Sequence, residues 1–447
     1  MAAELLVDEA EAHVRGVCFK TGPPTRTGVE LEWLVHDRSD PRKLITADRL
    51  DAALAPVEVP GAMPRGSKIT REPGGQVELS SPPAGSLTQC VEAMAADLAA
   101  LRLAMDRAGL VLVGRGLDPH RAPPRVLDGP RYRAMEGFFD QDGPWGRTMM
   151  RRTASLQVNL DSGDDSCGIT GYRRRWELAH RIGPVLVAAF ANSPLRDGRP
   201  TGWVSTRQAT WAAMDPGRTR QPAHDPEPRA AWARYALDAR VLCIRGTDAQ
   251  ETDAQQTGRH DAAGARGATG AGGAVVPGGG TADWSAPPGL TFRDWLRGSV
   301  PGLRRPTADD LDYHLSTLFP PVRPRGWLEL RMIDAQDADA WVVPTVLTAV
   351  LLDDPVAADA ALAATETLCP DGQPLPPDDV WRRAARIGPA DPDLGKAVRA
   401  CFTAAESALA RSDSPAALRA AVAGFAERYA ERGRCPAHDQ LDALSRV

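Results

Sequence analysis

The sequence predicts an α+β fold: a mainly antiparallel sheet with helices on one face and a helical C-terminal part. Three observations carry this. Short alternating or apolar runs, each bounded by Gly, Pro or Ser, recur as strand signals. Helical periodicities fall between them without the regular strand–helix–strand rhythm of a parallel sheet. From about residue 356 the chain is rich in Ala, Leu, Arg and Asp at helical spacing.

Taken in order, residues 4–16 read as a helix, and "TGVELEWLV" places a strand over 28–35. "GGQVELS" gives a strand over 75–80, followed by a helix over 87–108. Strand signals return at 110–114, 154–161 and 327–333, and helix signals at 172–191, 230–240, 308–317 and 340–352. One segment breaks the pattern. From Thr247 to Trp284 the chain is Gly-rich, Ala-rich and polar, and its only large aliphatic residues are Val275 and Val276. Such a stretch cannot bury enough surface to offset its ordering entropy. It reads as a mobile insertion at 247–284 inside a catalytic unit of residues 1–355, with residues 356–447 as a helical region packed on that unit.

Composition narrows the function classes. The 447 residues carry a net charge of -5, with 43% hydrophobic and 25% charged residues, as in ordinary globular proteins. The acidic balance argues against a nucleic-acid partner. No apolar run approaches the roughly 20 residues that span a bilayer. The opening "MAAELLVDEAEAHVRG" is acidic and helical in pattern, unlike a signal peptide. A cytoplasmic protein with no membrane and no obligate protein partner is expected. The seven cysteines stand singly, without C-x-x-C, which suits reduced structural thiols and not a zinc site.

Alternation along the strands exposes candidate chemistry. In "GVELEWLV", Val29, Leu31, Trp33 and Val35 share one face, and Glu30 and Glu32 share the other, roughly 7 Å apart. The split repeats in "GGQVELS", with Gln76, Glu78 and Ser80 opposite Val77 and Leu79. It repeats in "TASLQVNLD", with Ser155, Gln157, Asn159 and Asp161 polar, and in "GWLELRMI", with Glu329 and Arg331 polar. Any one of these strands reads equally well as a half-solvated sheet. Together they offer Glu30, Glu32, Glu78 and Glu329 with no Lys and one Arg. Carboxylates crowded on one face repel unless a cation neutralises them, and oxygen donors point to Mg²⁺ or Mn²⁺. Other signals are weaker. "VLVGRGLDP" lacks the third glycine of a dinucleotide loop and reads as a plain strand and turn, and neither a phosphate-loop nor a nucleophile-elbow motif occurs. Arg152, just before the third of these strands, reads as facing an anion.

At these residues the chain resembles the plant-type glutamate–cysteine ligases, and most of all their actinobacterial branch in ergothioneine biosynthesis. The resemblance rests on "TGVELEWLV", "TREPGGQVELSSPP", "MMRRTASLQVNLD", "AAFANSPLRDGRPTGWVSTR", "YALD" and "HLSTLFPPVRPRGWLELRMID", in that order, between about residues 28 and 352. It implies a glutamine-synthetase-like fold, a curved sheet whose concave face holds Mg²⁺, ATP and glutamate. Carried over, Glu30, Glu32, Glu78 and Glu329 match the metal-binding carboxylates. Glu72 in "REPGG" matches a further metal ligand or a substrate contact, and the nearby Gln76 falls among the substrate and ATP contacts. So do Gln157 and Asn159, which stand where more distant ligases of this fold have two histidines. Arg152, Arg207 and Arg331 suit substrate carboxylates or the transferred phosphate, with Arg207 and Arg331 as the catalytic pair. The insertion has no counterpart in the family pattern, and the regulatory cysteine pairs of plant enzymes have no match.

The reaction so implied joins L-glutamate to L-cysteine at the expense of ATP, by way of γ-glutamyl phosphate. Read from the residues alone, a guanidino-kinase-like phosphotransferase, a metal-dependent hydrolase, a binding protein and a ligase with another amine acceptor stay open.

Overall fold

The computed structural model describes residues 4–245 and 283–446. Most of the insertion expected at 247–284 lies outside the described residues. Its C-terminal edge, however, is ordered. Trp284 is buried, and its carbonyl accepts from the Ile244 N–H at 2.8 Å.

The chain begins with α1 (Val7–Cys18), β1 (Thr27–Asp37), α2 (Ala47–Glu58), β2 (Lys68–Arg71), β3 (Val77–Ser80), α3 (Leu87–Arg107) and β4 (Leu110–Val113). Then follow α4 (Pro130–Asp140), α5 (Trp145–Arg152), β5 (Ser155–Asp161), α6 (Tyr172–Arg181) and α7 (Gly183–Phe190). A small hairpin, β6 (Leu195–Arg196) and β7 (Arg199–Pro200), leads to α8 (Thr206–Ala212), α9 (Pro216–Thr219) and α10 (Pro228–Asp238). Beyond the insertion come α11 (Phe292–Arg297), α12 (Ala308–Leu315), β8 (Val322–Pro324), β9 (Trp327–Asp334) and α13 (Val342–Asp353). The rest is helical: α14 (Pro355–Ala364), α15 (Asp378–Ile387), α16 (Pro392–Arg411), α17 (Ala416–Arg428) and α18 (Pro436–Leu444).

The main sheet is open and antiparallel, in the order β2-β3-β1-β5-β9-β8, with β4 paired to the far half of β1. Every expected strand is present. The helix expected over 172–191 is two helices. Pro184 lacks an N–H and its ring crowds the preceding turn, so the run breaks at Ile182 and Gly183. Gly183 also lets α15 approach, since a Cβ there would meet the Trp381 ring at 2.0 Å.

The alternation decides where the core lies. Val29, Leu31, Trp33, Val77, Leu79, Leu156, Val158, Leu160, Leu328 and Leu330 all point into one continuous apolar cluster. That cluster takes in α3, α7 and α13 behind the sheet and runs on through α16 and α17 to Ala430. The opposite, acidic face is not left to solvent. Helices α4 and α5 rise over it, held by a second cluster that includes Met135, Phe138, Phe139, Met150, Cys243 and Trp284. Among the described residues no helix is long and apolar enough to cross a membrane.

Candidate active site

Between the acidic sheet face and these covering helices lies a cleft of about 420 Å³. Ladder register builds its floor. Glu32 faces Glu78 across β1 and β3, Glu78 faces Thr70 on β2, and Glu30 faces Gln157 on β5. Glu72 joins them from the turn between β2 and β3. In that turn Gly75 takes a positive φ of 86°, and a Cβ on Gly74 would lie 2.2 Å from the Arg151 carbonyl oxygen. Gln76 locks the turn: its Oε1 accepts from Gly74 N at 2.9 Å, and its Nε2 donates to Thr153 O at 2.8 Å. Of the expected site residues, Glu30, Glu32, Glu72, Gln76, Glu78, Gln157, Arg207 and Arg331 line the cleft.

The acids are incompletely neutralised. Glu32 accepts from Ser155 N at 2.7 Å, Glu30 from Asn159 Nδ2 at 2.9 Å, and Glu78 from Thr70 Oγ1 at 2.8 Å. Burial, and then the neighbouring Glu30 charge, still pushes the Glu78 carboxyl well above its ordinary range. Burial and Glu32 push Glu72 up to about 8. Glu30 is raised by burial and by Glu329, and Glu32 by burial.

Glu329 has a different environment. It is fully buried and is not part of the cleft lining. Its Oε2 and Oε1 accept from Arg323 Nε and Nη2 at 2.5 and 3.1 Å, and Arg331 Nη1 lies 3.1 Å from Oε1. Burial alone would raise its pKa, but Arg323 and Arg331 overcome that and hold the carboxyl below its ordinary value. Asn159 sits one layer back too, donating to Glu30 and accepting from Trp327 Nε1 at 3.2 Å. Gln157 lies between charges, accepting from Arg331 Nη1 while its own amide faces Glu32.

Arg152 does not reach the cleft. Its Nη2 donates to Asp118 O at 2.9 Å and to Asp197 Oδ1 at 3.0 Å. The last turn of α5 points this side chain to the far side, so the anion expected there is Asp197. Arg207 does line the cleft. It is 3% exposed, its Nη2 donates to Arg331 O at 2.8 Å, and its Nη1 has no hydrogen-bond partner among the described residues. Burial lowers its pKa, against the raising effect of Asp334 and Glu32.

Sequence reasoning missed much of the remaining lining. Arg131 enters from α4, Trp211 from α8, Tyr313 from α12, Phe319 from the segment before β8, Arg323 from β8 and Arg325 from the turn between β8 and β9. Arg323 and Arg325 carried a legible signal, since "VRPRGWLELR" places them just ahead of Glu329. Arg131 carried none. Its position depends on Tyr313, over whose ring the guanidinium lies at 5.0 Å, and on the Ser316 carbonyl at 3.3 Å. The cleft therefore has an acidic floor and a rim rich in arginine and aromatic side chains.

The model of glutamate–cysteine ligase family 2 matches residues 26–446. The chain belongs to this family. It is 39% identical over 441 residues to glutamate–cysteine ligase EgtA of Mycobacterium tuberculosis (strain ATCC 25618 / H37Rv), covering 97% of this chain and 90% of that protein. The EgtA protein of Mycolicibacterium smegmatis is 39% identical over 442 residues, covering 98% of this chain and 91% of that one. The chloroplastic glutamate–cysteine ligase of Medicago truncatula is 29% identical over 273 residues, 60% of this chain and 46% of that protein. Among solved structures, glutamate–cysteine ligase of Francisella tularensis in complex with AMP aligns with a TM-score of 0.47 and 12% identity, covering 95% of this chain and 85% of that one. The chain is thus a ligase of the glutamate–cysteine type, a family that uses ATP and a divalent metal.

The ligase's acidic floor fits such a metal. Its donors are all carboxylate oxygens, and burial together with the neighbouring glutamate charges raises the pKa of Glu72 and Glu78, so a cation there would be favoured. Among the described residues no three acidic, His or Cys side chains converge into a cage. An open carboxylate wall suits Mg²⁺, which keeps its waters and takes one or two carboxylates together with substrate phosphates.

Proposed function

We propose that this cleft makes γ-glutamylcysteine from L-glutamate, L-cysteine and ATP through γ-glutamyl phosphate, and that the product feeds ergothioneine formation in the cytoplasm. One observation carries the reading: a cleft with four glutamates on its floor and several arginines at its rim. Carboxylate meeting polyphosphate is anion against anion, so the site needs cations on both sides of the transferred group. Glu30, Glu32 and Glu78, with Glu72 beside them, would hold Mg²⁺ (or Mn²⁺), which supplies charge neutralisation and in-line orientation of the phosphates. Glu329 can join that set only by releasing Arg323, to which both of its oxygens are bound.

The remaining roles fall to the side chains. The γ-carboxylate of glutamate attacks the γ-phosphorus of ATP, and ADP leaves. The amine of cysteine then attacks the acyl carbon, and inorganic phosphate leaves. Arg207, whose buried Nη1 has no hydrogen-bond partner among the described residues, is suited to a substrate carboxylate or the transferred phosphoryl group. Arg331, held by Glu329 and Gln157, bridges the acidic floor and the arginine rim. Gln76 shapes the Glu72 turn and so acts on substrate or ATP through it, and Asn159 acts through Glu30. No protein nucleophile is needed. The ligase unit is residues 1–355, carrying the 247–284 insertion, and 356–447 is its helical support. The test is isotopic. Glutamate labelled with ¹⁸O in the γ-carboxylate should deliver one labelled oxygen to phosphate per turnover, with ADP accumulating in step. Unlabelled phosphate, or AMP with pyrophosphate, rules the acyl phosphate out.

A further inference from the structure

Strand alternation puts Asp334 in the apolar row of Leu328, Leu330 and Met332. The ladder puts it elsewhere. Leu330 pairs with Val158 but Ile333 pairs with Leu156, so Arg331 and Met332 together face the single residue Gln157. This β-bulge reverses the alternation and sets Asp334 opposite Ser155, on the row of polar residues. The bulge also leaves the Arg331 and Met332 carbonyls outside the regular ladder. Both are taken by α8: Arg207 Nη2 donates to Arg331 O and Gln208 Nε2 to Met332 O, each at 2.8 Å.

Asp334 is 2% exposed and sits in a built cradle. Its Oδ2 accepts from Asn192 N at 2.9 Å and Ser193 Oγ at 2.7 Å, and its Oδ1 accepts from Ser205 Oγ at 3.0 Å. Ser193 Oγ in turn accepts from Arg207 N at 3.2 Å. The cradle is rigid. Asn192 is tied to Gly114 O, Ala335 O and the α18 residue Gln440. Behind the carboxylate, a Cβ on Gly116 would lie 2.4 Å from Asp334 Cγ. The cation facing Asp334 is Arg207, with Nη1 at 3.7 Å from Oδ1. That separation is an ion pair without a hydrogen bond, so the charge is fixed while the buried Nη1 keeps its donors unsatisfied among the described residues.

We propose that Asp334 is a positioning residue for Arg207. It holds the guanidinium at the arginine rim and prevents its collapse onto Glu32, which lines the same cleft. The proposal rests on the assignment of Arg207 to anion binding made above.

The test is a double-mutant cycle with Arg207→Lys, Asp334→Asn and both together. Each protein is assayed for kcat and for the KM of glutamate, cysteine and ATP, with melting temperature followed in parallel. Support is a rise in the KM of the same substrate in both single variants, with kcat/KM down about 10- to 100-fold for Asp334→Asn, the usual cost of losing an outer-layer partner. The double variant should then be no worse than Arg207→Lys alone. Losses that multiply, or a lowered melting temperature with all three KM values at the wild-type level, overturn the proposal. If Asp334→Asn does not fold, Ser193→Ala replaces it. Its smaller rise in the same KM must vanish in the Arg207→Lys background, and persistence there overturns the proposal. Wild-type kinetics in Arg207→Lys would remove the anion-binding role of Arg207 and the proposal with it. An impaired Arg207→Lys beside a normal Asp334→Asn removes the positioning role alone.

Discussion

Glu72→Gln should make the metal-free protein more stable and the enzyme worse. The glutamine keeps the shape and removes a charge that the acidic floor does not neutralise. Burial and Glu32 raise the folded-state pKa of Glu72 from 4.5 to about 8. The favourable contribution of a group with a raised pKa is complete below pH 4.5 and is lost as pH rises toward 8. At pH 7 the distance from 4.5 is 2.5 units, which at 1.36 kcal/mol per unit sets a ceiling of about 3 kcal/mol. Glu72 is only partly buried, and water in the cleft screens it, so about 1–3 kcal/mol is the working range. At about 2.1 cal/mol/K of unfolding entropy per residue, a chain of this length gains about 1–3 °C. The assay is differential scanning fluorimetry in EDTA from pH 4.5 to 8. The variant should match the wild type at pH 4.5 and lead it increasingly as pH rises. Adding Mg²⁺ should close the gap, because the wild type gains more from the cation, and ligase turnover should fall at least tenfold. A variant that melts lower than the wild type at pH 7, or leads it equally at every pH, refutes the idea of an under-neutralised wall.

Two further outcomes follow from buried ionisable groups outside that row of acids. Arg323→Met leaves Glu329 with Arg331 alone and should cost about 3–5 kcal/mol, as when one member of a buried ion pair is removed; the double variant Arg323→Met/Glu329→Gln should recover most of it, and a double variant as unstable as the single one would show that lost packing dominates. His180, tilted against the Trp176 ring and pushed by burial down to about 4, must be neutral in the fold near pH 7. The wild type should therefore lose stability as pH falls from 6.5 toward 4, by up to about 3 kcal/mol from this group. His180→Phe should lack that loss, and parallel pH–stability curves would refute it.

The sheet was the most legible part of the sequence, because a two-residue period and a one-sided core leave little freedom. Glu30, Glu32 and Glu78 could be grouped from alternation alone, and they do share a wall. The covering wall was not legible. "PRYRAMEGFFD" has only a weak apolar stripe, and "WGRTMMRR" makes barely two turns, too short for its periodicity to stand out, so α4 and α5 were not expected, and Arg131 with them. Trp211, Tyr313 and Phe319 reach the cleft from segments about a hundred residues apart, which only tertiary docking reveals. Arg152 misled for a related reason. A position one turn before a site strand says nothing about which way a helix aims its last side chain. Asp334 was hidden by the bulge, since alternation assumes a ladder with no extra residue.

The four glutamates singled out from the strands differ by what stands across the ladder. Glu329 faces Arg323 on β8, and a short edge strand thereby neutralises it. Glu32 faces Glu78, a like-charge pair that costs stability wherever it is not bridged. Glu30 faces Gln157 and Ser80, neither of which brings a charge. Residue type is constant across the set, so register alone sorts it into one acid that organises arginines and three that remain available to a cation. The same sorting explains why the arginines gather at the β8–β9 side of the cleft while the under-neutralised acids gather at β1–β3. A substrate pair made of a carboxylate and a polyphosphate needs positive charge from both directions. This sheet provides one side directly through Arg323, Arg325 and Arg331, and leaves the other as a row of oxygens that a divalent ion can convert.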